Sequence, residues 1–178
     1  MQNEESLVQR AKQHDQAALT QLYEENFDKI YRYIVLKIGD RTEAEDMTQQ
    51  VFLKAFKSIS GYKSKGNPFS SWLFRIAHNQ VVDYWRKKSK RATVPLEETL
   101  VGSSNSSPGS DAERKMDIES LVAATKRLTG LQREVVSLRF AGGLSVAQVA
   151  KAMGKSEGAI KALQHSAIIS LRKMLATG

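Results

Sequence analysis

The sequence is poor in the residues and segments that many protein classes require. It contains no cysteine and only three prolines among 178 residues, and the lack of cysteine excludes disulfide bridges, zinc ribbons and thiol catalysis. No apolar run approaches the ~18 residues of a membrane span, and the polar start MQNEES does not resemble a signal peptide. Because 41% of the residues are hydrophobic, packed cores are expected, and we predict a soluble, cytoplasmic protein.

The formal charge of +8 is distributed unevenly along the chain. Residues 61–95 carry eight basic residues and one acidic residue, and residues 121–178 carry nine and two. Between these blocks, residues 96–120 carry six acidic and two basic residues. Two basic blocks separated by an acidic one predict two contacts with a polyanion such as nucleic acid. The alternative is a pair of solvated basic faces that bind nothing.

A segment without apolar residues divides the chain. Residues 102–110 read GSSNSSPGS, and a stretch of Gly, Ser, Asn and Pro cannot bury apolar surface, which is typical of a flexible linker. Apolar stripes of helical period occupy both sides, and strictly alternating β-branched runs are absent. We therefore predict an all-α fold in which two small helical domains, residues 1–94 and 113–178, are joined by a flexible acidic and Ser-rich linker at residues 95–112.

Local signals predict where several helices begin and end. Gly39 suits a helix C-terminus, and Thr42 with Glu45 predicts a capping box at the start of the next helix. Capping boxes are also predicted at residues 129–132 and 145–148, because each reads Thr or Ser followed three residues later by Gln. The helix after residue 129 is predicted to bury Leu131, Val135 and Leu138.

The last two predicted helices form a helix-turn-helix candidate. A short helix ends at Met153, the turn reads GKS, and Ser156 caps a long final helix. The second helix of such a motif presents its N-terminal residues to base edges in the major groove of DNA. Its exposed polar positions are predicted to be Glu157, Lys161, Gln164 and His165. The same succession of elements also occurs in plain helical bundles.

The predicted helix at residues 69–91 combines a core face with basic and aromatic residues. Residues 86–91 hold five positive charges, and seven of the chain's 13 aromatic residues lie between residues 56 and 85. Aromatic rings stack on bases and cations bind phosphates, so this combination predicts binding of single-stranded DNA. The alternative is a core helix that ends in a solvated basic tail.

Three segments, in this order, resemble one protein family. They are AEDMTQQVFLKAF, FSSWLFRIAHNQVVDYWRKK and LTGLQREVVSLRFAGGLSVAQVAKAMGKSEGAIKALQH. Together they resemble bacterial sigma factors of the sigma-70 family, and in particular the small extracytoplasmic-function (ECF) group that keeps only region 2 and region 4. The resemblance implies an alternative-sigma promoter-specificity subunit of RNA polymerase with no enzymatic activity. It assigns region 2 to residues 1–94 and region 4 to residues 113–178, and it implies that the linker threads the RNA exit channel.

The resemblance also implies roles for individual residues. Those implied to hold the melted −10 strand are Tyr62, Lys63, Lys65, Phe69, Trp72, Arg75, Asn79, Arg86 and Lys87. Those implied to read the −35 duplex are Ser156, Glu157, Lys161, Gln164 and His165. Those implied to dock on polymerase are Asp46, Gln49, Gln50 and Lys54, a group that composition alone would describe as a solvated helix face. Gln50 stands where the family usually has an acidic residue.

The implied partners are core RNA polymerase, through its β′ clamp helices and β flap, promoter DNA, and an anti-sigma factor. No cofactor, metal or small-molecule substrate is expected, because His14, His78 and His165 lie in separate segments. The alternative function is a stand-alone helix-turn-helix regulator, which would bind duplex DNA as a symmetric dimer without polymerase. A nuclease would need clustered carboxylates, and those in the basic blocks are few and dispersed.

Overall fold

The described part of the chain is helical. A computed structural model describes residues 2–91 and 111–176, with side chains at 3–91 and 119–176. Over these residues it contains no strand and has eight α-helices: α1 Gln2–Lys12, α2 Gln16–Ile38, α3 Arg41–Ser58, α4 Phe69–Arg91, α5 Asp111–Lys126, α6 Gly130–Val136, α7 Val146–Met153 and α8 Glu157–Ala176. A 3-10 turn follows α3 at Ile59–Gly61, and a π-helical segment continues α6 at Ser137–Ala141. The all-α prediction is confirmed, and most of the predicted linker lies outside the described residues.

The connection between α2 and α3 confirms one predicted helix end and corrects a predicted start. Gly39 ends α2 in the left-handed conformation, φ 83°, and its N–H donates to Val35 O at 2.9 Å. The predicted capping box at Thr42 is wrong, because α3 already begins at Arg41. The cap is Asp40, whose extended backbone follows directly from the turn and whose Oδ1 accepts the Glu43 N–H at 3.0 Å.

Helices α1 to α4 enclose the N-terminal core. The residues without solvent exposure include Leu22, Ile30, Ile34, Val51, Ile59 and Leu73. Helical spacing predicts a core side of α4 at Phe69, Leu73, Ile76, Ala77, Val81 and Tyr84; all of these are buried except Ile76 and Tyr84, which are half-buried. Because this side is fixed in the core, the opposite side of α4 presents its polar residues to solvent.

The C-terminal helices start and stop at the predicted signals. Both predicted capping boxes are formed: Thr129 with Gln132, and Ser145 with Gln148. Helix α7 ends at Gly154 in the left-handed conformation, φ 65°. Leu131, however, was predicted to be buried and is 48% exposed. It lines a cleft between the two halves of the chain rather than the core beneath α6, which explains the difference.

The two halves pack against each other around a partly buried ion pair. The Lys37 ammonium on α2 pairs with the Glu134 carboxylate on α6, and their side chains are only 11% and 13% exposed. The hydroxyl of the fully buried Tyr33 donates to Glu134 Oε1 at 2.8 Å across 101 residues of sequence. Burial lowers the pKa of Lys37 to about 8, helped by the nearby Arg133 charge, and burial also raises the pKa of Tyr33. The prediction of two tethered domains did not include this contact.

A second contact between the halves is apolar. Gly142, just after the π-helical segment, lies so close to Phe74 of α4 that an added Cβ would be 2.7 Å from Phe74 Cζ. Beside it, a cleft of about 470 Å³ is bordered by α4, α6 and α7. Polar and charged side chains around this cleft include Arg75, His78, Glu134, Lys151 and Lys155. The closed arrangement therefore places cations of both halves along one cleft.

Candidate nucleic-acid interface

The loop before α4 is shaped by hydrogen bonds at both of its ends. Lys65 has a positive φ of 47°, and the Asn67 N–H donates to Ser64 O at 2.8 Å, which closes a tight turn. At the start of α4, the Phe69 N–H donates to Oε1 of Glu4 on α1 at 3.0 Å. A first-turn amide has no partner within its own helix, so the carboxylate of α1 fixes where the loop ends and α4 begins.

Three of the predicted −10 residues form an aromatic cluster at this junction. The Tyr62 ring centroid lies 4.8 Å from that of Trp72 and 5.4 Å from that of Phe69, and Phe69 lies 5.6 Å from Trp72. Tyr62 and Phe69 are 7% and 1% exposed, whereas Trp72 is half-buried. Lys12 lies 6.0 Å from the Tyr62 ring. Tyr62 and Phe69 thus hold Trp72 in place, and Trp72 is the member that a ligand can reach.

Cations surround the accessible ring. A cleft of about 410 Å³ is lined by five of the nine predicted −10 residues: Tyr62, Lys63, Lys65, Trp72 and Arg75. The three cationic residues are exposed. A π face flanked by cations is the arrangement that binds one base and its neighbouring phosphates.

The other predicted −10 residues lie farther along α4 or beneath its surface. Asn79, Arg86 and Lys87 are exposed on α4 outside this cleft, and Arg86 pairs with Asp83 one turn earlier. Near the end of the helix, Lys88 Nζ lies 5.3 Å from the ring centroid of Trp85, which is 40% exposed. Sequence reasoning missed Trp85, although its position inside the basic run, as an aromatic beside several cations, was a usable signal.

The helix-turn-helix has the geometry that its sequence predicts. Ser156 Oγ accepts the Ala159 N–H at 3.1 Å and so begins α8. Of the predicted −35 residues, Ser156, Glu157, Lys161 and His165 are exposed, whereas Gln164 is half-buried. Gln164 is also bound within the domain, because its Oε1 accepts the Arg139 Nε–H at 3.0 Å. Four of the five side chains are therefore free to meet a duplex, and the fifth is held in a fixed orientation.

The predicted polymerase-docking residues lie together on the outside of α3. Asp46, Gln49, Gln50 and Lys54 are all exposed. Leu53 lies among them and is 54% exposed, a residue that sequence reasoning missed. Its spacing of three and four residues from Gln50 and Gln49 places it on the same side of the helix. A single exposed leucine is common on protein surfaces, so Leu53 adds one apolar side chain to this polar face and does not by itself mark a binding site.

Neither a membrane span nor a metal cluster occurs among the residues that the structure describes. None of their helices is both long and apolar enough to cross a bilayer. No three of their His, Asp or Glu side chains come together in a way that could hold a metal ion.

The fold and these surfaces define a two-domain, all-helical DNA-binding protein with a helix-turn-helix. Residues 22–91 match the family described as Sigma-70 region 2, and residues 124–173 match Sigma-70, region 4. The chain is 38% identical over 170 residues to the ECF RNA polymerase sigma factor BldN of Streptomyces coelicolor, an alignment that covers 95% of this chain and 64% of that protein. The chain belongs to the sigma-70 family, in its ECF group.

Solved structures share the fold. A structure of CnrH in complex with the cytosolic domain of CnrY matches with a TM-score of 0.74 and 19% identity, and covers 98% of this chain and 97% of that one. A co-crystal structure of the sigma factor RpoE with the anti-sigma factor NepR from Bartonella quintana matches with a TM-score of 0.68 and 22% identity, and covers 88% and 96%. These likenesses extend across both halves of the chain.

Proposed function

We propose that this protein is a promoter-specificity subunit that binds core RNA polymerase, recognises the −35 and −10 elements and directs transcription initiation without performing chemistry itself. The observation that carries the proposal is the cation-lined cleft around Trp72 on one domain, together with a helix-turn-helix on the other. The first suits an unpaired base and the second suits a duplex. A protein that holds both forms of DNA is suited to opening a promoter.

The cleft around Trp72 supports a capture mechanism for strand opening. A base that leaves the stack costs a few kcal/mol, and stacking on an aromatic side chain returns about 1–3 kcal/mol. Lys63, Lys65 and Arg75 add phosphate contacts that exist only once the strand occupies the cleft. The differential binding energy then shifts the promoter toward its open form.

The remaining surfaces support the proposed partners. The exposed side of α3 with Asp46, Gln49, Gln50 and Lys54 is proposed to dock on the β′ clamp helices, with Leu53 as its apolar centre. Residues 1–94 act as region 2 and residues 113–178 as region 4, which also contacts the β flap. An anti-sigma factor is a proposed regulator, since RpoE of similar fold is described in complex with one. The site of action is the cytoplasm, where polymerase and promoters are.

Run-off transcription tests the proposal. The purified chain is added to core polymerase on a pool of genomic promoter fragments, and transcripts are expected from a subset of fragments only when the chain is present. Transcription that the chain does not stimulate on any fragment would overturn the proposal. If the chain instead binds duplex fragments tightly without polymerase, as a dimer on palindromic sites, it is a stand-alone regulator.

The variants Trp72→Ala and Trp72→Phe test the cleft. Loss of the ring is expected to lower the fraction of melted −10 DNA about tenfold, since one stacked base is worth about 1–3 kcal/mol, whereas phenylalanine keeps a ring and most of the activity. Permanganate footprinting of unpaired thymines measures the melting, and circular dichroism checks that both variants fold. Equal melting by the alanine variant and the wild type would exclude stacking on Trp72.

A further inference from the structure

Arg139 links the π-helical segment to two neighbouring elements. Its Nε–H donates to Gln164 Oε1 at 3.0 Å, and its second donor, Nη1, reaches Leu144 O at 2.7 Å. Both bonds are partly buried, and both have an ionised donor, which makes them stronger than bonds between neutral groups. The guanidinium therefore holds the amide oxygen of Gln164 in one place.

Gln164 lies beside the residues proposed to read DNA. It follows Glu157 by seven residues and Lys161 by three, so the three side chains share one side of α8. Its oxygen is directed toward Arg139, and in the described part of the chain no other group binds its amide nitrogen. Of the two polar ends of this side chain, the N–H donors are the ones left for a ligand.

We propose that Arg139 is a positioning residue for −35 recognition, an inference that rests on the proposed function. Arg139 holds Gln164 so that the Gln164 side chain offers only N–H donors and selects guanine over adenine. A glutamine that reads adenine uses both ends, because its oxygen accepts from N6 while its nitrogen donates to N7. The first of these bonds competes with the Arg139 guanidinium. Guanine presents two acceptors, O6 and N7, and suits a side chain that only donates.

The experiment measures base preference with the full chain in holoenzyme. Each −35 position of an active promoter is randomised in turn, and the open complexes are separated and sequenced. The wild type is expected to prefer guanine over adenine about tenfold at one position, which is the discrimination of one good side-chain–base pair. Gln164→Ala is expected to lose the preference at that position only. Arg139→Ala frees the amide oxygen and is expected to move the preference there toward adenine.

Three further variants separate positioning from a general loss of structure. Arg139→Lys keeps a cationic donor and is expected to keep part of the guanine preference. Arg127→Ala removes an exposed cation of the same domain and is expected to weaken all sequences by one common factor. In the Gln164→Ala background, Arg139→Ala is expected to change the preference no further. Because the preference is a ratio within one variant, a partial loss of stability does not alter it.

Two results would overturn the inference. One is an Arg139→Ala variant that weakens all promoter sequences equally, which is the result of a purely structural role. The other is a wild type that already prefers adenine at the position sensitive to Gln164. Failure of the proposed function is distinguishable from both, because the wild-type chain would then stimulate no transcription at all.

Discussion

The partly buried pair between Lys37 and Glu134 predicts how one substitution alters the closed arrangement. Glu134→Gln keeps the size of the side chain and an oxygen that can accept from the Tyr33 hydroxyl, but it removes the charge that faces Lys37. Lys37 would then stay only 11% exposed with no counter-charge. Separation of the two halves would return its ammonium group to water, so the substitution favours an open arrangement.

The size of this effect follows from two independent estimates. Removing one partner of a buried ion pair typically costs about 3–5 kcal/mol. Alternatively, Lys37 can lose its proton, and because burial already lowers its pKa to about 8, neutralising it at pH 7.5 adds only about 1 kcal/mol. The smaller cost limits the effect. We expect about 1 kcal/mol, which changes the closed-to-open ratio roughly fivefold.

Energy transfer between two dyes measures this ratio directly. The chain has no cysteine, so single cysteines introduced at the exposed Lys57 and Arg172 can be labelled without background. The wild type is expected to give mainly high transfer, and Glu134→Gln a measurably larger low-transfer fraction with unchanged helix content. Glu24→Gln, an exposed carboxylate on α2, is the matched control. Identical distance distributions for Glu134→Gln and wild type would refute the reasoning.

Three further outcomes are expected. Asn79→Ala should weaken formation of the open complex more than the initial closed complex, and equal losses in footprints of both would contradict a role in strand capture. Lys161→Ala should remove about one phosphate contact, so the slope of log affinity against log salt concentration should become shallower by about one. Partial burial and the Lys37 charge lower the pKa of His78, so the folded state binds fewer protons there than the unfolded chain, and stability should fall as the pH drops below about 6.5. His78→Gln should remove that part of the pH dependence of Tm, and an unchanged dependence would exclude it.

Features set by neighbouring residues could be predicted from the sequence. The capping boxes at Thr129 and Ser145 need only a hydroxyl and a glutamine three residues apart, and both form. The apolar spacing of α4 likewise predicted its buried side. The one incorrect cap, at Thr42, is also local: two residues in this short connection can cap a helix, and the extended backbone of Asp40 favours the earlier one.

Features that depend on contacts between distant segments could not be predicted. Nothing near Tyr33 in the sequence indicates that its hydroxyl meets Glu134 across 101 residues. For the same reason Leu131 was assigned to the core, although the second half of the chain presents it to a cleft. In the candidate interface, the resemblance implied that Tyr62, Phe69 and Trp72 hold the melted strand, but only tertiary packing reveals that Tyr62 and Phe69 are buried against Trp72.

The close packing of the two halves has a consequence for promoter affinity. A compact chain of this length is about 40 Å across, from a radius of gyration of about 16 Å. Two DNA elements about 25 base pairs apart are separated by roughly 85 Å, at about 34–36 Å per helical turn. A closed molecule therefore reaches one element but not both. The molecule must open before it binds a complete promoter, and the free energy of opening weakens the observed binding by that amount. Tyr33, Lys37 and Glu134, which lie at the contact between the halves and not among the residues proposed to bind DNA, would thus set the threshold concentration at which the protein occupies its promoters.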